Sequence, residues 1–419
     1  MPSKKIIPKK SHKLEYILLT LILIFALFLR LYALGDAPFW IDESISAVKS
    51  INILHGQASI WPDDRANLFQ YIQAGFLAFS QTDAAARLVS VLFGLLTIFL
   101  AFKIGKEYSN SGGIIAALFT AVFYLEVFFS RQARMYQMFQ FFFFLTLYLL
   151  YKSKEKPNYL YFSLISFFIT LNTHLEGLIL APFMIIYILI FNKKQRLWAI
   201  VPAIPLVQKA IATLSLSAGD SAIAANYASQ YLSYTGNMTY LLILFIPGLV
   251  WAFIKNKKLT SLIILPCIFA LAGVFSLETF ALRYAYFFAL PLILYASLLF
   301  AFLYDKYGKL ILLPIIILLI VPSNIFYHGT YINVLQPTSG TLNDASAPIT
   351  DYKNLPLDVR AQIMSNDSLL LSYFSSNVEW YLKKPDFVLP FSLDGRGQDQ
   401  ISLNLKDGRI VDRYSEAPI

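Results

Sequence analysis

Leu34-Gly-Asp-Ala-Pro-Phe-Trp-Ile-Asp-Glu-Ser-Ile-Ser-Ala-Val-Lys-Ser50 follows one long apolar segment and carries two adjacent carboxylates, Asp42 and Glu43, where the chain is expected to leave a membrane. Pro38, Phe39 and Trp40 precede the pair, as aromatics commonly do at the lipid–water boundary. Ile45, Val48, Ile51 and Leu54 then recur at helical spacing. The pair is therefore expected to open an amphipathic helix lying along the membrane surface. Two readings fit the carboxylates. An acidic pair at the rim of the bilayer could abstract a proton, bind a cation or grip a polar ligand. It could equally do no more than favour the positive end of the helix dipole.

The rest of the chain surrounds this stretch with membrane segments. Of 419 residues, 57% are hydrophobic and only 14% charged, against about 25% charged in ordinary soluble domains. The aromatic share of 16%, mostly Phe and Tyr, suits many interfacial side chains. A net charge of +9 invites a nucleic-acid reading, but the basic residues sit in short clusters between apolar runs. That is the pattern of cytoplasmic loops, so no nucleic-acid partner is expected. The single cysteine, Cys267, lies inside an apolar run and rules out an intrachain disulfide. The first apolar segment exceeds a signal-peptide core and no small-residue cleavage pattern follows it, so it is expected to stay as an anchor.

Lys4, Lys5, Lys9, Lys10 and Lys13 make the N-terminus basic, hence cytoplasmic. Apolar segments fall near residues 14–34, 85–105, 112–130, 137–151, 158–175, 177–192, 197–214, 238–254, 260–277, 283–304 and 309–327, most of them near the ~20 residues a bilayer needs. Strict alternation puts Lys103 and Lys106; Lys152, Lys154 and Lys156; Lys193, Lys194 and Arg196; Lys255, Lys257 and Lys258; and Lys306 and Lys309 inside. Asp42, Glu43, Asp63, Asp64, Asp220 and Glu278 fall outside. The expectation is an all-α polytopic membrane protein of about eleven transmembrane helices spanning residues 1–330, with a first outer loop over about 35–84. No internal or inverted repeat is found, which weakens a transporter reading.

Residues 331–419 are expected to form a small extracytoplasmic α/β module. Helices are predicted over 357–364 and 377–382, with a buried strand in Ser368-Leu-Leu-Leu-Ser-Tyr373; Asp386-Phe-Val-Leu389 is a further short apolar run. Such a module is near the lower size for independent folding. The abrupt end at Glu416-Ala-Pro-Ile419 leaves its completeness open.

Ionisable residues in or beside apolar segments usually face a partner or a polar cavity. Asp42, Glu43, Arg87, Glu126, Arg131, Arg134, His174, Glu176, Glu278 and Arg283 all fall near the predicted outer face. Carboxylates, arginines and a histidine at one depth suggest an outward-facing polar cavity able to do acid/base work and to bind anions, phosphate above all. Simpler roles stay open. Arg87 could snorkel or pair with Asp83, His174 could bond a backbone carbonyl at a helix end, and Arg283 could be a snorkelling anchor. Glu126, in Phe123-Tyr-Leu-Glu-Val-Phe-Phe129, has no charged neighbour before Arg131, so a function or a buried pair with an arginine is expected.

Trp40-Ile-Asp-Glu43, Ala86-Arg-Leu-Val-Ser-Val-Leu-Phe-Gly94, Ser130-Arg-Gln-Ala-Arg-Met-Tyr136, Thr173-His174 and Leu282-Arg-Tyr284 occur in this order and placement. Together they resemble the GT-C glycosyltransferases, in particular the protein mannosyltransferase and aminoarabinose transferase superfamily, over roughly residues 14–330. The C-terminal module resembles more loosely the soluble domain often appended to such enzymes. The resemblance implies a plasma-membrane enzyme that moves a sugar, with inversion, from a polyprenyl-phosphate carrier to a hydroxyl of a lipid, glycan or protein on the outer face. It implies Asp42 as the base, with Glu43 orienting it or the acceptor. Arg283 would hold the carrier phosphate, helped by Arg134 or Arg131. His174 and Glu126 would line the sugar or acceptor pocket, and Tyr136 and Tyr284 of the same motifs would be substrate-binding.

Two departures stand out. Gln132 occupies a position where relatives often carry Glu, and Arg65-Ala-Asn-Leu-Phe69 stands where they often have a His-Pro-Pro-like motif. Both changes touch the acceptor or metal side of the site. No Asp/Glu/His set is dense enough to require a metal, so a divalent ion is left open. A lipid-linked sugar flippase or exporter is the alternative from another class, and an inactive scaffold of an envelope glycan complex a third. Short basic inner loops without intramembrane charge argue against the flippase.

Overall fold

The computed structural model describes residues 12–57, 66–216, 239–275, 282–315, 352–365, 371–372, 375–384, 387–388, 403–406 and 409–412. In chain order these form α1 (His12–Leu31), α2 (Ile41–Leu54), α3 (Asn67–Leu77), α4 (Asp83–Lys106), α5 (Gly112–Val122) and α6 (Tyr124–Phe129). Then come α7 (Tyr136–Lys152), α8 (Asn158–Thr173), α9 (Leu180–Phe191), α10 (Ile200–Leu216), α11 (Thr239–Lys255), α12 (Lys257–Phe275), α13 (Leu282–Ala285) and α14 (Ala289–Tyr307). The C-terminal part contributes α15 (Leu357–Met364), α16 (Ser375–Tyr381) and four short strands, β1 (Leu371–Ser372), β2 (Phe387–Val388), β3 (Leu403–Lys406) and β4 (Arg409–Asp412). β1 pairs parallel with β2 and β3 antiparallel with β4. Asp63, Asp64, Asp220, Glu278 and the end of the 309–327 segment lie outside the described residues.

Among the described residues, four helical runs are long and apolar enough to cross a membrane: Lys13–Leu31, Asp83–Lys106, Lys257–Val274 and Arg283–Ile315. Gly112–Val122, Leu175–Phe191 and Leu241–Lys255 are shorter apolar helices. At 1.5 Å per residue, α4 is about 36 Å long. Its two ends are tied to α1 in different ways. Lys106 pairs with Glu15 at 2.5 Å at one end. At the other, Arg87 donates to the carbonyl of Leu34, beyond the end of α1. Lys152 pairs with Glu107 at 3.3 Å and Glu155 at 2.6 Å at the Lys106 end, so the basic loops carry local acidic partners.

The main core threads α4, α5, α7, α8, α9, α11, α12 and α14 with aromatic side chains, among them Phe143, Phe144, Phe167 and Tyr295. Gly248 is required where α11 meets α14, because a Cβ there would collide with the Tyr295 carbonyl. Gly94 plays the same part on α4, where a Cβ would sit 2.6 Å from the Ser130 Cβ and 2.9 Å from the Arg30 Nε.

Helix α2 forms where the spacing predicts it, but its buried face is not the apolar stripe. Glu43, Ser44, Ser46, Ala47 and Ser50 are buried, whereas Ile45, Val48 and Ile51 are half-buried and Leu54 is exposed. The small polar residues face in because they have partners there. Ser50 donates to Gln73 of α3 at 2.7 Å, Ser44 to Asn377 of α16 at 2.6 Å, and Arg134 donates to Ser46 at 2.8 Å. Hydrogen bonds across a tight contact have outweighed burial of the isoleucines.

Candidate active site at the end of the bundle

Asp42 and Glu43 are neighbours with opposite surroundings, because successive helical residues point about 100° apart. Glu43 is 2% exposed. Arg87 of α4 grips it from Nε to Oε1 at 2.8 Å and from Nη2 to Oε2 at 2.9 Å, and the Ala133 amide donates to it at 2.7 Å. Arg87 also donates to the carbonyls of Leu34, Ala37 and Pro38. Arg87 therefore neither snorkels nor pairs principally with Asp83. It staples the turn before α2 to α4, and Glu43 links both to the segment between α6 and α7.

Asp42 keeps 23% of its side chain exposed and meets Arg134, whose Nη2 lies 3.4 Å from Oδ2. Arg134 is fixed by α2 itself, donating to the Asp42 carbonyl at 3.1 Å and the Ser46 hydroxyl at 2.8 Å. Its guanidinium also lies 5.7 Å from the centre of the Tyr136 ring. Arg283 stacks over Trp40 at 5.4 Å and Tyr284 at 5.2 Å. Arg283 is close enough to Arg134 to repel it, and Tyr136 feels Arg134, Arg283 and Asp42 together. Two arginines held near one another beside a half-exposed carboxylate make a place where an anion relieves repulsion. Among the described residues, Trp40 Nε1, Gln132 Oε1 and Arg134 Nε are buried without a hydrogen-bond partner. Such atoms call for an explanation, and a polar ligand is one.

His174 packs its ring against Tyr136 at 6.1 Å and Phe139 at 5.2 Å. Its Nδ1 accepts the Glu176 amide at 3.4 Å, capping the 3-10 turn Leu175–Ile179. An accepting Nδ1 leaves the ring proton of the neutral imidazole on Nε2. The helix-end role is thus present, with an amide in place of the expected carbonyl.

Two expectations change. Arg131 does not point at the arginine pair. Its guanidinium donates to the carbonyls of Leu29, Arg30, Tyr32 and Ala33, the unsatisfied acceptors at the end of α1. Glu126 lines no open pocket. It is fully buried, with Gln140, Gln137 and Tyr286 around its oxygens.

Several contributors were not legible as such. Trp40 read as an interfacial aromatic and proves to be the platform for Arg283; Ser46, four residues after Asp42, is an anchor for Arg134. The C-terminal part closes on the same stretch. Asn377 donates to the Phe39 carbonyl at 3.1 Å, and the Phe39 amide donates to the Tyr381 hydroxyl at 2.6 Å. Asp83 accepts from Trp380 at 2.8 Å, Tyr381 at 2.9 Å and Lys353 at 3.1 Å. Burial, and then the charge of Asp83, push the Tyr381 phenol above its usual range. A cavity of about 590 Å³ lies beside this contact, lined by Asp36, Val48, Ile51, Lys353, Arg360 and Glu379 among others. Asp42 does not line this cavity.

Among the described residues, no group of three or more His, Cys, Asp or Glu is placed to hold a metal ion. With Glu43 committed to Arg87 and Asp42 paired with Arg134, the described residues beside Asp42 do not offer the donor set of a resident divalent cation.

Residues 64–218 match the family model described as dolichyl-phosphate-mannose-protein mannosyltransferase. The fold is similar to two crystal structures of the Archaeoglobus fulgidus oligosaccharyltransferase. One is a complex with Zn and sulfate (12% identity, TM-score 0.57, 88% of this chain and 62% of that one). The other is tethered to an acceptor peptide containing the NVT sequon (12% identity, TM-score 0.57, 91% of this chain and 61% of that one). This chain thus spans about three fifths of the length of those proteins. No curated protein matches it. The match over residues 64–218, the similarity of fold and four helical runs long and apolar enough to cross a membrane make this chain similar to the membrane glycosyltransferases of the GT-C superfamily.

Proposed function

We propose that the protein transfers a sugar, with inversion, from a polyprenyl-phosphate carrier to a hydroxyl of a lipid, glycan or protein acceptor on the outer face of the plasma membrane. In this reading about eleven helices cross the bilayer over residues 1–330, the N-terminus is cytoplasmic, and residues 331–419 are an extracytoplasmic module. The observation that carries it is the grouping of half-exposed Asp42 with Arg134 and with Arg283 on its Trp40 platform.

Asp42 takes the proton of the acceptor hydroxyl as its oxygen attacks the anomeric carbon. The bond from that carbon to the phosphate oxygen breaks with its electron pair leaving on the lipid phosphate. Arg283 and Arg134 stabilise that charge, so the leaving group needs no general acid. Arg283 lies over the Trp40 and Tyr284 rings, and the planar fork of a guanidinium suits bidentate contact with phosphate oxygens. Tyr136 and His174 back the sugar side of the site, with Gln132 offering a neutral acceptor.

Radiolabelled transfer from a panel of polyprenyl-phosphate sugars in membranes tests the assignment. Label transfer from one donor by the wild type, lost in Asp42→Asn, supports it. Wild-type turnover in Asp42→Asn removes Asp42 as the base. Carrier movement across sealed vesicles without bond cleavage favours a flippase instead.

A further inference from the structure

Glu126 is the carboxyl that this chemistry leaves over. It is fully buried at the end of the bundle, on α6, where an isolated charge is costly. Gln140 Nε2 donates to its Oε1 at 2.9 Å; its Oε2 lies 2.8 Å from the Tyr286 hydroxyl and 3.4 Å from Gln137 Nε2. The Tyr286 hydroxyl is also 2.6 Å from Gln137 Oε1, and Gln137 Nε2 reaches Thr97 and Gln140 Oε1, each at 3.1 Å.

These contacts need more protons than the tyrosine and the two amides supply. The Tyr286 hydroxyl has one proton for two oxygens within 2.8 Å. Turning Gln137 end for end lets its amide donate to Tyr286 but sets its oxygen 3.1 Å from Gln140 Oε1. Turning Gln140 as well moves the shortage to its 2.9 Å contact with Glu126. With both amides as placed, or with both turned, the missing proton fits on Glu126, whereas turning Gln137 alone leaves two amide oxygens facing each other. Arg30, which acts electrostatically on both Glu126 and Tyr286, pulls the other way. Its Nη1 donates to the Ala26 and Ala121 carbonyls at 3.3 and 3.0 Å.

Tyr286 follows Arg283 by three residues, at the start of the 3-10 turn Tyr286–Phe288. Its ring stacks on Phe129 at 4.0 Å, and Phe129 ends α6 just before the Ser130–Arg134 segment. The network therefore joins the two segments that carry the paired arginines.

We propose that Glu126 is a neutral latch: as a carboxylic acid it holds Tyr286 to Gln137 and Gln140 and so sets the position of Arg283 relative to Arg134. It is a positioning residue, acting through Tyr286. The inference rests on the reading of the two arginines as the phosphate grip.

The test compares full-length wild type, Glu126→Gln, Glu126→Ala and Tyr286→Phe in lipid nanodiscs, each also in an Arg283→Ala background. Glu126→Gln keeps the hydrogen bonds and is expected to hold the donor KM within about threefold of wild type, less than one buried hydrogen bond is worth. Glu126→Ala and Tyr286→Phe are expected to raise that KM by about tenfold or more with little change in kcat. Neither should add a loss once Arg283 is gone. A Gln variant as impaired as the Ala variant overturns the latch, because charge or a transferable proton is then required. Infrared difference spectra of wild type against Glu126→Gln add a readout without turnover. A protonated-carboxyl band lost in the variant supports the neutral acid, and a carboxylate band in its place overturns it. A wild type that turns over no polyprenyl-phosphate donor refutes the donor assignment and leaves the spectral test of Glu126 standing.

Discussion

Arg87 and Glu43 meet fork to fork, with both guanidinium–carboxylate contacts inside 2.9 Å and both side chains nearly sealed from solvent. The pair fastens the start of α2 to α4 and leaves the adjacent Asp42 as the more exposed carboxylate. Removing one member strands a buried charge.

Glu43→Ala is accordingly expected to destabilise the protein by about 3–5 kcal/mol. The thermal unfolding midpoint in detergent reads this, and an unchanged midpoint would show that Arg87 finds another partner.

Asp42→Asn is isosteric and touches no buried strut. Turnover should fall by about a hundredfold or more, the scale of a lost general base. The unfolding midpoint should stay at the wild-type value, which separates chemistry from folding.

Arg131 and Arg134 stand three positions apart and should fail differently. Arg131→Ala uncovers carbonyls at the end of α1 and should cost about 1.5–3 kcal/mol of stability with the donor KM unchanged. Arg134→Ala should raise the donor KM and lower kcat while moving the unfolding midpoint less. Equal kinetic damage from both would contradict their separate partners.

Asp83→Ala removes the acceptor shared by Lys353, Trp380 and Tyr381. Docking of the α15–α16 segment should weaken by about 2 kcal/mol or more. Faster limited proteolysis near Lys383 and altered Trp380 fluorescence would register it. The Tyr381 phenol is raised in the folded protein, so its contribution is present at neutral pH and is lost as pH rises above the unfolded value of about 10. Wild-type docking should therefore hold through neutral pH and loosen in strong alkali.

Asn377→Ala and Ser44→Ala remove two sides of one contact beside Asp42. Each should lower kcat, and the double variant should lose less than the sum of the two. Strict additivity would mean that α16 does not act on α2 through this pair.

Hydropathy and charge patterning made the helical membrane architecture legible, because a bilayer imposes length and apolarity on each crossing locally, segment by segment. The helix opening at Asp42, the helix over 357–364 and the gathering of Asp42, Arg134 and Arg283 at one end could be read from position alone, the last because ionisable groups in apolar segments seek one another; Tyr136 and Tyr284 entered only through the resemblance. Sequence could not assign partners. Asp42 and Glu43 differ by one position, yet one meets Arg134 at the surface and the other Arg87 in the interior; Arg131 and Arg134 part in the same way. Nor did spacing foretell that α2 would bury serines, that Trp40 would carry Arg283, or that Glu126 would close on Gln137, Gln140 and Tyr286. Those outcomes depend on which side chains arrive from helices up to several hundred residues away, and hydrogen-bond geometry at short range then decides among chemically similar partners.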